Sequence, residues 1–134
     1  MFRILIIENN FKLRKRVRKI LLSSLPFLNV AEASDEKGAF SEIEKKRPDL
    51  VIMGIHLTGG NGLNLTKKIK LRYPLIPIVI NTKNDSPEYK KAAIQVGADY
   101  FLSKKSNTIN DLVSLAGSIF SMASEDTNKT FELC

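Results

Sequence analysis

"PDLVIMGIHLTGGNGL", residues Pro48–Leu63, is the stretch from which the fold is read. Leu50 to Met53 form a short, continuous apolar run, the pattern of a strand buried on both faces. Gly54 closes the run, and a glycine-rich loop with Gly59, Gly60 and Gly62 follows. A glycine at the end of a strong strand weakens it, because there is no side chain to pack. Either something approaches the backbone closely at Gly54, or a side chain expected at that point is missing.

On both sides of this stretch, apolar runs alternate with helical patterns. "RILII" (Arg3 to Ile7) reads as a buried strand. The next segment places Leu13, Val17, Ile20, Leu21 and Ser24 on one helical face, with Asn9 or Asn10 as its cap. "NVAEAS" (Asn29 to Ser34) is a weaker strand, and "DEKGAFSEIEKKR" is a helix with Ala39, Phe40 and Ile43 inward. After the Leu50–Met53 strand, Gly62 to Tyr73 reads as a helix on a Leu65 and Ile69 stripe, stopped by Pro74. Ile76 to Asn81 is a strand. Ser86 caps a helix with Pro87 in its first turn and Gly97 as its stop. Asp99 to Ser103 is the last strand, and "NTINDLVSLAGSIFSMAS" the last helix. Residues 1–123 are expected to form one domain, and 124–134 a polar tail or the start of a linker.

Five strands alternating with five helices predict an α/β domain. Its parallel sheet is doubly wound, with strand order 2-1-3-4-5 and right-handed crossovers. In such sheets ligands sit beyond the carboxyl ends of the strands. Function is therefore sought at Glu8 and Asn9, at Gly54 to His56, at Thr82 and Lys83, and at Ser103 and Lys104.

A chain of 134 residues suits one domain with a sizeable core. Nothing approaches the run of about 20 apolar residues that spans a bilayer, and the amino terminus lacks the pattern of a signal peptide. Its single cysteine, Cys134, permits no internal disulfide, so a cytoplasmic location is the expectation. The net charge is +7, from 21 Lys and Arg against 14 Asp and Glu. Without a nucleic-acid motif, that charge reads as a basic, solvated surface.

The strand ends carry a resemblance. "ILIIENN", "PDLVIMGIHLTGGNGL", "PIVINT" and "GADYFLSK" occur in the order and spacing of a response-regulator receiver domain of two-component signalling. The match covers roughly residues 1 to 123 and implies a flavodoxin-like fold. It also implies a chemistry. An aspartate ending the third strand takes a phosphoryl group from a histidine kinase. Acidic residues after the first strand hold Mg²⁺, and a hydroxyl and a lysine contact the phosphoryl oxygens. Phosphoryl transfer needs such an in-line nucleophile, divalent cation and cationic clamp.

Here the acceptor position is Gly54, so the resemblance answers the first question: the side chain is missing, and no close approach is needed. The acidic pair is Glu8 and Asn9, so one carboxylate is lost. Mg²⁺ prefers several hard oxygens and should bind weakly or not at all. Thr82 matches the switch hydroxyl, Lys83 replaces a smaller residue, Phe101 matches the rotating aromatic, and Lys104 matches the phosphate-binding lysine. Lys104 is expected to pair with Glu8.

Rescue by another acceptor is not expected. Asp49 lies at the opposite end of the sheet, His56 reads as an ordinary loop residue, and Asp85 as a turn former. The three loop glycines read as a turn. The basic stretch Lys12 to Lys19 is either a solvated face or a surface for an acidic partner. Tyr100 reads as a rim aromatic.

The resemblance thus implies a pseudo-receiver: a non-enzymatic signalling module with no cofactor, acting through protein partners. Those partners are a histidine kinase, an output domain, or a second copy. The copy would dock through the face made by the helix from Pro87, the strand from Asp99 and the helix from Asn107. No membrane or nucleic-acid partner is expected. The rivals are a phosphorylatable receiver with an atypical acceptor and a basic nucleic-acid-associated regulator.

Overall fold

A computed structural model describes residues 1–25, 28–57, 59–84, 86–103 and 109–133, leaving out the side chains of His56 and 124–133. The strands are β1 (Arg3–Ile7), β2 (Asn29–Ala33), β3 (Leu50–Met53), β4 (His56–Leu57), β5 (Gly60–Asn61), β6 (Ile78–Thr82) and β7 (Tyr100–Ser103). The helices are α1 (Phe11–Ser24), α2 (Glu36–Lys45), α3 (Gly62–Arg72), α4 (Pro87–Gln95) and α5 (Ile109–Leu133). Five strands form the main sheet in the order β2-β1-β3-β6-β7, all parallel. This is the 2-1-3-4-5 winding read from the sequence, in a flavodoxin-like receiver fold.

Alternate residues of each central strand face opposite sides. Leu5, Ile7, Val51, Met53, Ile78 and Ile80 pack on one side against Ala39 and Ile43 of α2, Leu65 and Ile69 of α3, and Ala93 of α4. Ile4, Ile6, Leu50, Ile52 and Val79 pack on the other against Val17 and Leu21 of α1 and Leu112, Ala116 and Ile119 of α5. Each fully buried aliphatic side chain contributes about 1.5–3 kcal/mol over leaving it exposed.

The helix starts follow local chemistry. Asn10, not Asn9, caps α1 by accepting from the Leu13 N–H (3.0 Å). Asp35 caps α2 and Ser86 caps α4, with Pro87 at its first turn. Gly97, at φ 101°, ends that region in a conformation few other residues adopt.

Several boundaries differ from expectation. β6 begins at Ile78 and not Ile76, because Pro77 has no N–H for the ladder; its carbonyl accepts from Val51 instead (2.9 Å). Ser24 faces solvent, while Leu13 and Ile20 are half-buried beside the buried Val17 and Leu21. The His56 region is not plain loop: His56 pairs with Asn61 and Leu57 with Gly60 in a small antiparallel ribbon. The α5 backbone is helical to Leu133, across the stretch read as a polar tail or the start of a linker, which a helix does not exclude. Among the described residues no helix is long and apolar enough to cross a membrane.

The basic stretch of α1 is partly consumed within the molecule. Glu32 on edge strand β2 accepts from Arg14 Nε (2.9 Å), Lys15 Nζ (2.9 Å) and Arg18 Nη1 (3.1 Å). Burial alone pushes the Glu32 carboxyl up, but the Lys15, Arg14 and Arg18 contacts outweigh it and hold the group below its usual 4.5. A carboxyl depressed in the folded state contributes stability above its unfolded value, and that contribution is lost as pH falls through the folded value. Glu32→Gln should therefore cost about 1–2 kcal/mol near neutral pH. The gap to wild type should close as pH drops below 4.5, read from urea midpoints across a pH series.

Candidate functional site

Register assembles the candidate site at the carboxyl ends of the strands. Ile7 stands beside Met53, so the next residues, Glu8 and Gly54, leave the sheet side by side. Met53 stands beside Ile80, and Thr82 beside Ser103. Gly54 is thus level with Asn81, one residue short of the Thr82–Ser103 pair, and Glu8, Gly54, Thr82 and Ser103 all lie at the carboxyl edge of the sheet. The Gly54 N–H donates to the Ile7 carbonyl (2.8 Å), holding β1 and β3 together to their last residues.

Gly54 is buried, and the expectation that nothing approaches it is corrected here. A β-carbon built on Gly54 would lie 2.7 Å from Glu8 Oε1, 3.0 Å from Cδ and 3.2 Å from Oε2. The Glu8 carboxylate therefore lies against the Gly54 backbone, in space that any larger residue would need. Both explanations posed by the strand-closing glycine hold together: there is no side chain, and a neighbour fills its place.

Glu8 is anchored on three sides. Its N–H donates to the Ala33 carbonyl (3.0 Å), its carbonyl accepts from Arg14 Nη1 (2.7 Å), and its Oε2 accepts from the Asn10 N–H (3.1 Å). The opposite wall is equally fixed. A β-carbon at Gly62 would collide with the Gly54 carbonyl, and the Gly62 N–H donates to Ile55 O (2.6 Å). The loop glycines are thus more than a turn; Gly62 lets the start of α3 press directly on the end of β3.

The remaining candidates are spread along the row and beyond it. Thr82 is 5% exposed, and its Oγ1 accepts from the Asn84 N–H (3.1 Å), leaving its own proton to donate elsewhere. Asn9 and Lys83 are exposed, so Lys83 does not crowd the strand ends. Phe101 is half-buried and packs against the cluster shared by α2, α3 and α4, while Tyr100 stands at the surface. Asp49 lies at the far end, where its Oδ2 accepts from the Arg3 N–H (2.8 Å). Lys104 and Asp85 lie outside the described residues, as does the His56 side chain, so the expected Lys104–Glu8 pair does too.

The row of strand ends, the winding and the loop chemistry agree with the comparison of the chain with known proteins. Residues 4–116 match the model of the response regulator receiver domain. The chain belongs to that family. This receiver domain resembles the transcriptional regulatory protein DegU of Brevibacillus brevis, at 29% identity, over 76% of the chain and 43% of the relative. It also resembles a protein-glutamate methylesterase/protein-glutamine glutaminase of Pyrococcus abyssi, at 32% identity, over 81% of the chain and 30% of the relative. The receiver domain spans less than half the length of these two curated relatives. Among solved structures, the receiver domain of NtrX from Brucella abortus superposes with a TM-score of 0.77 at 28% identity, covering 88% of this chain and 98% of that one. The receiver domain of the Francisella response regulator 1452 shares the fold, with a TM-score of 0.81 at 19% identity, covering 92% and 99%.

Proposed function

We propose that this receiver domain is a pseudo-receiver, a signalling module that works by binding other proteins without aspartyl phosphorylation. The observation that carries the reading is the pair at the ends of β1 and β3. Residue 54 is a glycine, which offers no nucleophile, and the space beside it holds the Glu8 carboxylate. An acyl phosphate needs a carboxylate at the acceptor position with room in line for the donor.

The donor set is poor for the family's metal. Mg²⁺ takes near-ideal octahedral geometry and usually two or more anionic oxygens. Glu8 is the one carboxylate in the described row of strand ends, and Asn9 supplies a neutral amide. Among the described residues no three His, Cys, Asp or Glu side chains gather as a metal requires. No step through a metal is therefore part of this reading, and the module is read as non-enzymatic.

A two-state element shifts only if a ligand favours one state. Without a covalent charge at Gly54, Thr82 and Phe101 should keep one arrangement, fixed by packing. The partners that fit are a kinase, an output domain, or a second copy that meets the face of α4, β7 and α5. Beryllofluoride with Mg²⁺ mimics the phosphoryl group, so it should leave the amide shifts of Thr82 and Phe101 unchanged. Saturable shifts at both residues would mean that the switch operates and would remove the pseudo-receiver reading.

A further inference from the structure

We propose that Glu8 is the site's own tethered anion: its carboxylate fills the space beside Gly54 and keeps small oxyanions such as phosphate out. The inference rests on the pseudo-receiver reading and adds to it the reason why the strand ends are closed.

Three observations carry it. The first is fit. Glu8 Oε1, Cδ and Oε2 all lie within 3.2 Å of where a residue-54 β-carbon would stand, so the carboxylate must shift to admit a side chain at 54. The second is preorganisation. The backbone of Glu8 is tied to Ala33 and Arg14, and its Oε2 is held by the Asn10 N–H at the start of α1. A carboxylate so placed fills the corner without losing further freedom when the site forms. The third is the rigid far wall. The start of α3 lies so close to the Gly54 carbonyl that only a glycine fits at 62, which leaves little room on that side of residue 54. Entry of an anion therefore requires the Glu8 side chain to leave. Until it does, an incoming oxyanion meets a like charge in half-buried surroundings, where screening by water is reduced.

The corner that Glu8 fills also has means to hold an anion in its absence. The Asn10 N–H, which donates to Glu8 Oε2 (3.1 Å), loses that acceptor when the side chain is removed and can donate to an incoming anion. Removal of the Glu8 side chain opens this corner and leaves that donor facing the space the carboxylate held. Small tetrahedral oxyanions are the ligand class that such a space takes.

The test is titration of inorganic phosphate into wild type and into Glu8→Ala, followed by the amide shifts of Gly54, Ile55 and Thr82. Glu8→Ala should bind phosphate at least about tenfold more tightly than wild type. Equal affinity, or no saturable shift in either protein, would overturn the inference. Gly54→Ala is an independent test that leaves Glu8 in place. Its new β-carbon must push the carboxylate aside, and the Asn10 N–H then loses its acceptor. The Asn10 amide should move and exchange faster with solvent; an unchanged Asn10 amide would mean that the carboxylate does not lie there. A phosphoryl adduct on wild type would remove the pseudo-receiver reading itself, whereas equal phosphate affinity would remove this inference alone.

Discussion

Gly54→Asp alone is expected to remain almost unlabelled by acetyl phosphate, while Gly54→Asp with Asn9→Asp gains labelling by a factor on the order of a hundred or more. The single change restores the nucleophile but puts it into space held by the Glu8 carboxylate, 2.7 Å from the new β-carbon. Two carboxylates in contact disfavour ionisation of both. Without a divalent cation to offset that repulsion, the new aspartate gains little as a nucleophile. Asn9→Asp adds a third carboxylate at the end of β1, enough to attract Mg²⁺ and draw Glu8 out of the corner. A gain of about a hundredfold corresponds to about 2.7 kcal/mol of transition-state stabilisation. The measurement is the initial rate of mass increase for each variant under matched acetyl phosphate and Mg²⁺. Rapid labelling of the single variant would mean that Gly54 is the only defect and that Glu8 and Asn9 are harmless.

The second large effect concerns the core beneath the site. Ile7 is fully buried and is the last residue of β1 before Glu8, with its carbonyl taking the Gly54 N–H. Its side chain packs with Met53, Ile80 and the inner faces of α2 and α3. Ile7→Ala should therefore cost about 2–5 kcal/mol, the range for a large-to-small change in a packed core. Because the backbone partner of Gly54 is retained, the loss should be in side-chain packing and not in the β1–β3 ladder. Urea unfolding gives the cost directly. A loss well under 1 kcal/mol would mean that the chain end at Glu8 is loosely packed, which contradicts a rigid site.

The fold is legible because its signals are local. Continuous apolar runs mark strands buried on both faces, and Asn10, Asp35 and Ser86 mark helix starts within three residues of the hydrogen bonds they make. Where expectations slip, the cause is a competing local rule. Pro77 delays β6 by withholding a donor.

The candidate site is legible in its residues but not in its contacts. The motifs place Glu8, Gly54 and Thr82 at one edge of the sheet, and the register does the same, with Thr82 one residue beyond the level of Gly54. That Glu8 folds over Gly54 depends on the parallel pairing of segments 46 positions apart and on one side-chain rotamer. No spacing within a single motif encodes either. The convergence of Arg14, Lys15 and Arg18 on Glu32 is hidden for the same reason: the basic face of α1 reads as solvated or partner-binding until β2 is set beside it. A strand-closing glycine is the one signal in the sequence that points to a close neighbour at this position, and it does not say which residue that is.

Intact mass of the wild-type protein after incubation with acetyl phosphate and Mg²⁺ tests the central claim most directly. The prediction is an unchanged mass, because Gly54 has no nucleophile and Glu8 closes the space around it. A gain of one phosphoryl unit, labile in the manner of an acyl phosphate, would contradict the account and return this receiver domain to the phosphorylated members of its family.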